Sequence, residues 1–447
     1  MDRKVKEILE KERRRQREGL VLIASENYVS PSVLELLGSE FTNKYSEGYP
    51  GRRYYAGNEY VDEVESLAIE RVKRLFGLVH ANVQAHSGSP ANLAIISALC
   101  EIGEPILSQS LSMGGHLSMG QEASFTGRIT KASFYGLTDD GEVDWEELLE
   151  KAKKIKPKII FCGGTAYTRI FDFEKYAKVA DEVGAWLVAD ISHIAGLVAG
   201  GVHPSPVEHA HVLMFTTHKT LRGPRGAVIG VTKKGLAKDG EICGKIDRAV
   251  FPGLQGGPHE NNIAALAQAL READSIEFKK YSKQVLVNAQ VLAKELVKFG
   301  FDLVGGETEN HMIWINLEGR KIDGWALHMA LEQAGIYVNK QTVPADRRSP
   351  FYPSGFRLGT AALTTRGMGE EEMKRVASLI EQVTLVCQRL WGKEIGSEDK
   401  KEDQEARKKF KESLLKEGEL ERLKNEVRDW VGKFPEFKRD GEKEFVG

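Results

Sequence analysis

Short, continuously apolar runs alternate with amphipathic helical stretches from about residue 80 onward, and this alternation restricts the chain to folds built from βαβ units. The runs PILSQ, KIIFCGG, AWLVAD, HVLMFTT and GAVIGVT read as buried strands, because they are apolar throughout instead of alternating with polar residues. Between them DWEELLEKAKKI and DFEKYAKVADEVG repeat apolar residues every three or four positions, open on Asp144 and Asp172 as N-caps, and in the second case close on Gly184. Right-handed crossovers then predict a mostly parallel central sheet covered by helices, with the binding crevice at the carboxyl ends of the strands.

The pattern changes after VFPGLQGGP. A long helical stretch from about Asn261 to Lys298 leads to strands FDLVGG and HMIWINL, a helix DGWALHMALEQAG and a strand IYVN, the make-up of a smaller α+β domain. We place the boundary near residue 272, giving an N-terminal arm and large domain over 1–272 and a small C-terminal domain over 273–447. The segment MDRKVKEILEKERRRQREG reads as a surface helix, without the apolar stretch of a signal peptide. From Lys393 to Lys409 the composition is almost wholly charged. We read it as a solvated linker, part of a charged insertion at about 396–416, leading into a surface helix that ends near VRDWVGKFPEF.

Charge and cysteine usage narrow the function classes. The 63 Lys and Arg against 65 Asp and Glu leave a formal net charge of -2, with no broad basic field for nucleic acid or an anionic bilayer. The most apolar stretch, AWLVADISHIAGLVAGG, contains Asp190 and His193 and is broken by glycines, which argues against a membrane span. Cys100, Cys162, Cys243 and Cys387 are far apart, with no C-x-x-C pair. That speaks against a disulfide framework or a structural zinc site and for a reducing cytoplasm, with no metal expected. The partners expected are small molecules.

Polar residues follow several of the strands. In NVQAHSGSPAN, Ser87, Gly88 and Ser89 precede Pro90, so hydroxyls, a glycine and the free N–H groups of a helix start form either an anion site or an ordinary cap. No G-x-x-x-x-G-K-[ST] or G-x-G-x-x-G follows any strand, which disfavours a nucleoside triphosphate or a dinucleotide as that anion. Asp190 ends an apolar strand, where an unpaired carboxylate is costly and a salt bridge or cap is the plain alternative. Lys219, in TTHKTLRGPRG, can be a lone phosphate binder, a structural ion pair or an imine-forming nucleophile. The set decides: a phosphate cradle, a buried carboxylate and a lysine at one sheet edge are the parts that hold pyridoxal 5'-phosphate.

The chain also resembles the serine hydroxymethyltransferase family over nearly its whole length. LIASENYVSP, TNKYSEGYPGRRYYAGNEYVDEVE, NVQAHSGS, GGHLSMG, HIAGLVAGGVHPSP, TTHKTLRGPRG, VFPGLQGGP and PSGFRLGTAALTTRG are similar to that family's signatures, in its order. The resemblance implies the aspartate-aminotransferase-like fold type I of pyridoxal-phosphate enzymes, a homodimer or tetramer with shared active sites, and reversible interconversion of serine and glycine with tetrahydrofolate as co-substrate. It implies Lys219 as the Schiff-base lysine, Asp190 as partner of the pyridinium nitrogen, and His116 as the ring stacked on the cofactor. Ser87, Gly88 and Ser89 would hold the phosphate, with Gly256 and Gly257 from a neighbouring subunit. Thr165 and His193 would lie near the phenolic oxygen, and Thr216 beside the lysine would join the catalytic set. Arg357 would grip the amino-acid carboxylate, assisted by Ser25. Glu47 and Tyr55, supplied across the dimer interface, would handle proton transfer and the substrate hydroxyl, and Tyr45 would bind the substrate. Leu111, Gly115, Leu117 and Gln341 would contact the folate.

The chain departs from the pattern at Met113 and Met119, where histidines are usual, and at Gln341, where an asparagine is usual. Phe215 stands where a threonine is common, and Thr165 replaces a serine while keeping the hydroxyl. Met119 would remove polar contacts from the cofactor pocket. On the ground of Met119 and Gln341, an aldolase acting on threonine-like substrates without folate is the competing reading. A binding protein with a vestigial vitamin site is a third.

Overall fold

The computed structural model describes residues 1–392 and 400–437, in two compact units, Val29–Lys283 and Met1–Tyr28 with Gln284–Gly447.

The first unit is built on a seven-stranded sheet: β1 (His80–Asn82), β2 (Pro105–Gln109), β3 (Lys131–Tyr135), β4 (Ile159–Cys162), β5 (Trp186–Asp190), β6 (Val212–Thr216) and β7 (Ala227–Val231). Their spatial order is β1-β7-β6-β5-β4-β2-β3. The five strands from β6 to β3 run parallel. All five residues of each of β5, β6 and β7 are buried, the signature of strands covered on both faces. Asp144 and Asp172 cap their helices, each accepting from the backbone N–H three residues on, and Gly184 ends the second helix at φ 72°. The edge strand β3 escapes the sequence reading because KASFY has only Tyr135 buried, so its pattern is not continuously apolar.

Strand β7 runs antiparallel to both β6 and β1, and chain length explains why. The ten residues Thr217–Gly226 are fewer than a parallel crossover needs, about a dozen or more. The chain therefore turns back beside β6 through a tight loop, and that loop holds Lys219.

The second unit carries a four-stranded antiparallel sheet of β8 (Asp302–Leu303), β9 (Met312–Asn316), β10 (Asn339–Gln341) and β11 (Gly355–Gly359), in the order β8-β9-β11-β10. Leu20–Val21 pairs in parallel with Ile336–Tyr337, which places the first 28 residues in this unit, where the sequence reading grouped them with the large domain. The expected boundary near residue 272 falls inside the helix Glu260–Ala273. The long helical stretch is in fact two helices, because Ser275 caps the second (Ile276–Lys298) by accepting from the N–H of Phe278 at 3.1 Å. The observed change of unit lies within that second helix.

The charged C-terminal segment is also corrected. Residues 393–399 lie outside the described residues, but Lys400–Lys416 is a helix that buries Arg407, Phe410 and Leu414, spacings of three and four that place them on one face. Arg407 sends Nη1 to Asp323 Oδ2 at 2.8 Å and Nε to Asp403 Oδ2 at 2.9 Å, and its guanidinium lies 3.8 Å from the ring centroid of Tyr352 and 5.0 Å from that of Trp325. Asp323 meanwhile caps the helix Gly324–Gln333 through the N–H of Ala326. Arg407→Ala leaves Asp323 buried without this cation, and should cost about 3–5 kcal/mol. Urea unfolding followed by tryptophan fluorescence checks this, since Trp325 reports on that very spot.

Candidate functional site

Asp190 and Thr216 end the adjacent parallel strands β5 and β6, at the sheet edge where doubly wound folds bind ligands. Asp190 Oδ1 accepts from Ser192 N at 3.0 Å and Ser192 Oγ at 2.5 Å, while Oδ2 accepts from Asn92 Nδ2 at 3.0 Å. This is the acceptor-only pattern of an ionised carboxylate. Ser192 Oγ in turn accepts from the N–H of Thr216 at 3.0 Å, which joins the two strand ends.

Lys219 is buried three residues beyond Thr216. Its loop is pinned on both sides. Thr217 Oγ1 donates to Pro224 O at 2.5 Å, and Thr220 Oγ1 donates to His193 O at 2.8 Å while accepting from Gly196 N at 3.0 Å. The neighbouring His218 is held near pKa 3 by burial first and then by the Lys219 and Arg225 charges, so its ring is neutral at physiological pH.

Ser87 is the N-cap of α1 (Gly88–Leu99) but makes no side-chain capping bond. A Cβ on Gly88 would sit 2.7 Å from Thr216 Cγ2, so only glycine lets this helix start approach β6. Thr216 Oγ1 is buried without a hydrogen-bond partner. Uncommitted hydroxyls around the N-terminus of a twelve-residue helix fit a phosphate, Asp190 fits a protonated ring nitrogen, and Lys219 fits a covalent anchor. The residues present therefore suit pyridoxal phosphate.

His116 lies in the loop after β2, and its Nδ1 is 2.7 Å from Ser118 Oγ. The turn needs glycine before it, since a Cβ on Gly115 would meet Gln109 O at 2.1 Å. Thr165 holds the same turn, its N–H donating to Gly114 O at 2.7 Å and its Oγ1 to Gly115 O at 3.0 Å. Leu111 opens a short 3-10 turn ending at Met113, and Leu117 is exposed. The reading of Met119 is overturned. Its side chain is buried among Ile106, Ile159 and Phe161, so it fills the core beneath the loop and takes no polar contact from a cofactor pocket.

Tyr45, Glu47, Tyr55, Gly256 and Gly257 come together as a second cluster. Tyr45 Oη donates to Glu47 Oε1 at 3.1 Å, and this carboxylate pushes the phenol pKa up. The rings of Tyr45 and Tyr55 meet edge to face at 5.0 Å. A Cβ on Gly256 would lie 3.0 Å from Glu47 Oε1, and one on Gly257 3.1 Å from the Tyr45 ring. Gln255, which the sequence reading missed, donates to Gln84 O at 2.8 Å and accepts from His86 N at 3.0 Å, tying this loop to the segment between β1 and Ser87.

Behind this cluster Ser46 Oγ donates to the buried Glu260. Burial, reinforced by the Glu65 charge and opposed by the Ser46 bond and Arg53, raises Glu260 from 4.5 to about 7. A carboxyl raised on folding contributes stability that is fully present below about pH 4.5 and is lost as pH rises through about 7. Glu260→Gln should remove that slope and gain about 3 kcal/mol on the wild type between pH 5 and pH 8, measured as the difference in urea stability at the two pH values.

In the second unit Arg357 sits on β11 between Trp314 of β9 and Asn339 of β10. Its Nε and Nη2 reach Asn339 Oδ1 at 3.2 and 3.1 Å, and burial pulls the guanidinium pKa down to about 10. Ser25 follows Ala24, whose Cα would lie 2.4 Å from a Cβ on Gly359, so the Ser25 segment runs against the strand that bears Arg357. Gln341 is half-buried on β10, opposite Gly355.

A family model described as serine hydroxymethyltransferase matches residues 1–380. The chain belongs to the serine hydroxymethyltransferase family. Relatives named serine hydroxymethyltransferase are similar over most of their length: the Acidothermus cellulolyticus protein is 52% identical over 384 residues, covering 86% of this chain and 88% of the relative. A Campylobacter jejuni protein is 51% identical over 382 residues, covering 86% and 91%, and that of Desulfotalea psychrophila is 50% identical over 382 residues, covering 86% and 88%. The family's fold is the type I pyridoxal-phosphate fold, and its members are transferases of one-carbon groups that use tetrahydrofolate. This chain is such an enzyme. The helix bearing Arg407 lies beyond the part that the family model matches.

Proposed function

We propose that this chain interconverts serine and glycine with tetrahydrofolate, and that its residues divide the work as follows. Lys219 is the covalent anchor for pyridoxal phosphate; Ser87, Gly88, Ser89 and Thr216 hold the phosphate; Asp190 pairs with the ring nitrogen and keeps it protonated; Thr165 and His193 line the phenolic side. Pyridoxal phosphate supplies the electron sink for charge developing at the substrate Cα. Arg357 binds the amino-acid carboxylate with its planar fork, Asn339 holding that fork in place and Ser25 assisting. Glu47, oriented by Tyr45, holds or moves the proton at the serine hydroxyl oxygen, and Tyr55 hydrogen-bonds the same oxygen. Leu111, Gly115, Leu117 and Gln341 face the folate.

The observation that carries this reading is the buried link from Asp190 through Ser192 to Thr216, with Lys219 in the pinned loop that follows. The aldolase reading loses one of its grounds, because Met119 belongs to the core. Borohydride reduction of the loaded protein followed by peptide mapping tests the assignment. The pyridoxyl group should be found on Lys219, and a label on another lysine would refute it.

The enzyme acts as a homodimer in the cytoplasm, with the cluster of Tyr45, Glu47, Tyr55, Gly256 and Gly257 serving the partner's site. The exposure of Tyr45, Tyr54, Tyr55 and Tyr60 supports a covered surface there, and four free cysteines accord with a reducing compartment. Subunit exchange between Lys219→Ala and Glu47→Gln proteins should restore part of the activity that each lacks. No recovery in demonstrated hybrids would place Glu47 in its own subunit's site.

A further inference from the structure

His116 Nδ1 is joined to the Asp190 carboxylate through two side chains with no role in the division of work above, Asn92 and Ser118. Both are fully buried, so water does not compete for these bonds. The direction of the bonds from the Asn92 amide and from the Ser118 backbone N–H is forced by the chemistry of the donors. The amide nitrogen of Asn92 carries two protons and no available lone pair. One proton goes to Asp190 Oδ2 at 3.0 Å and the other to Ser118 Oγ at 2.9 Å. Reversing the amide would set oxygen against carboxylate, so the orientation is fixed by Asp190. Ser118 Oγ, which accepts from Asn92, lies 2.7 Å from His116 Nδ1 and donates to it when that nitrogen carries no proton. The backbone N–H of Ser118 points at the same nitrogen from 3.2 Å. In that state Nδ1 accepts twice, which leaves no place on it for a proton.

We propose that Asn92 and Ser118 are positioning residues that tie His116 to Asp190 and hold its imidazole as the neutral Nε2–H tautomer. The inference rests on the cofactor reading for its purpose: a ring stacked on a cofactor whose nitrogen is kept protonated by Asp190 must not itself be an imidazolium, since the two cations would repel. The network works against that state by geometry, since an imidazolium would direct a proton from Nδ1 at the Ser118 backbone N–H. It also fixes the ring plane, because both contacts reach Nδ1 from the residue two positions on. Hydrogen bonds in such a buried chain polarise one another, so its members act as a unit.

The test uses protein labelled with ¹⁵N-histidine, with the His116 signal identified from His116→Gln. In the wild type and in Ser118→Thr, which keeps hydroxyl and backbone donor, the ring nitrogens should show the Nε2–H tautomer. In Ser118→Ala and Asn92→Ala the signals should move toward a tautomeric mixture. In the holoenzyme, Ser118→Ala and Asn92→Ala should each lower kcat about 10-fold with the KM for serine little changed. The double variant should also fall about 10-fold, because both act through one chain, and Ser118→Thr should rescue. An Nδ1–H or imidazolium signal in the wild type, or single losses that multiply to about 100-fold, would overturn the proposal. The tautomer is read in cofactor-free protein as well, so failure of this network and failure of the cofactor reading give different results.

Discussion

Lys219→Ala should abolish serine–glycine interconversion, by about 10³-fold or more, while leaving the protein folded. The chain around residue 219 supports its own conformation: the loop is fixed by bonds from Thr217 and Thr220 and by Arg222, whose guanidinium lies 4.0 Å from the Tyr281 ring centroid. The decisive measurement pairs turnover with circular dichroism and thermal unfolding of the same sample. A folded variant without activity is expected, and a folded variant with wild-type turnover would remove Lys219 from the chemistry.

The second large effect is at Arg357. Its guanidinium is buried, held by Asn339 Oδ1 through Nε and Nη2, and its preorganised fork matches a carboxylate in a way that a lysine ammonium does not. Truncating a buried charge that binds a substrate charge costs about 2–5 kcal/mol, which is about 30-fold or more in kcat/KM. Arg357→Lys should lose most of this, with the KM for serine raised far more than the KM for tetrahydrofolate. Equal changes in both would mean that Arg357 holds the fold of its sheet and does not read the amino acid. Asn339→Ala should reproduce a fraction of the effect, because it frees the fork without removing the charge.

Much of this organisation is legible in the chain because it depends on local properties. Continuous apolar runs mark β2, β4, β5, β6 and β7, and Asp144, Asp172 and Gly184 mark helix ends by their own backbone preferences. Asp190 and Lys219 can be found because each follows such a run. The elements that escape are those whose identity depends on distant partners. Edge strand β3 looks like a loop because only one of its residues is buried. The helix Lys400–Lys416 looks solvated because an arginine supplies part of its buried face, neutralised by Asp323. Met119 looks like a lost pocket residue until the loop is folded and its side chain turns inward.

The site shows the same division. Ser87, Gly88, Lys219 and Arg357 stand out by residue type and motif, whereas Asn92, Ser118, Gln255 and Asn339 are ordinary polar residues in the sequence. Their roles appear only when strand register and loop closure bring them against Asp190, His116, His86 and Arg357.

The central claim is tested most directly by incubating the purified, pyridoxal-phosphate-loaded protein with serine and measuring glycine formed with and without tetrahydrofolate. Glycine that accumulates rapidly only when tetrahydrofolate is present, with matching formation of methylenetetrahydrofolate, is the expected result. Cleavage of threonine-like substrates at a rate indifferent to folate, with no turnover of serine, would contradict it.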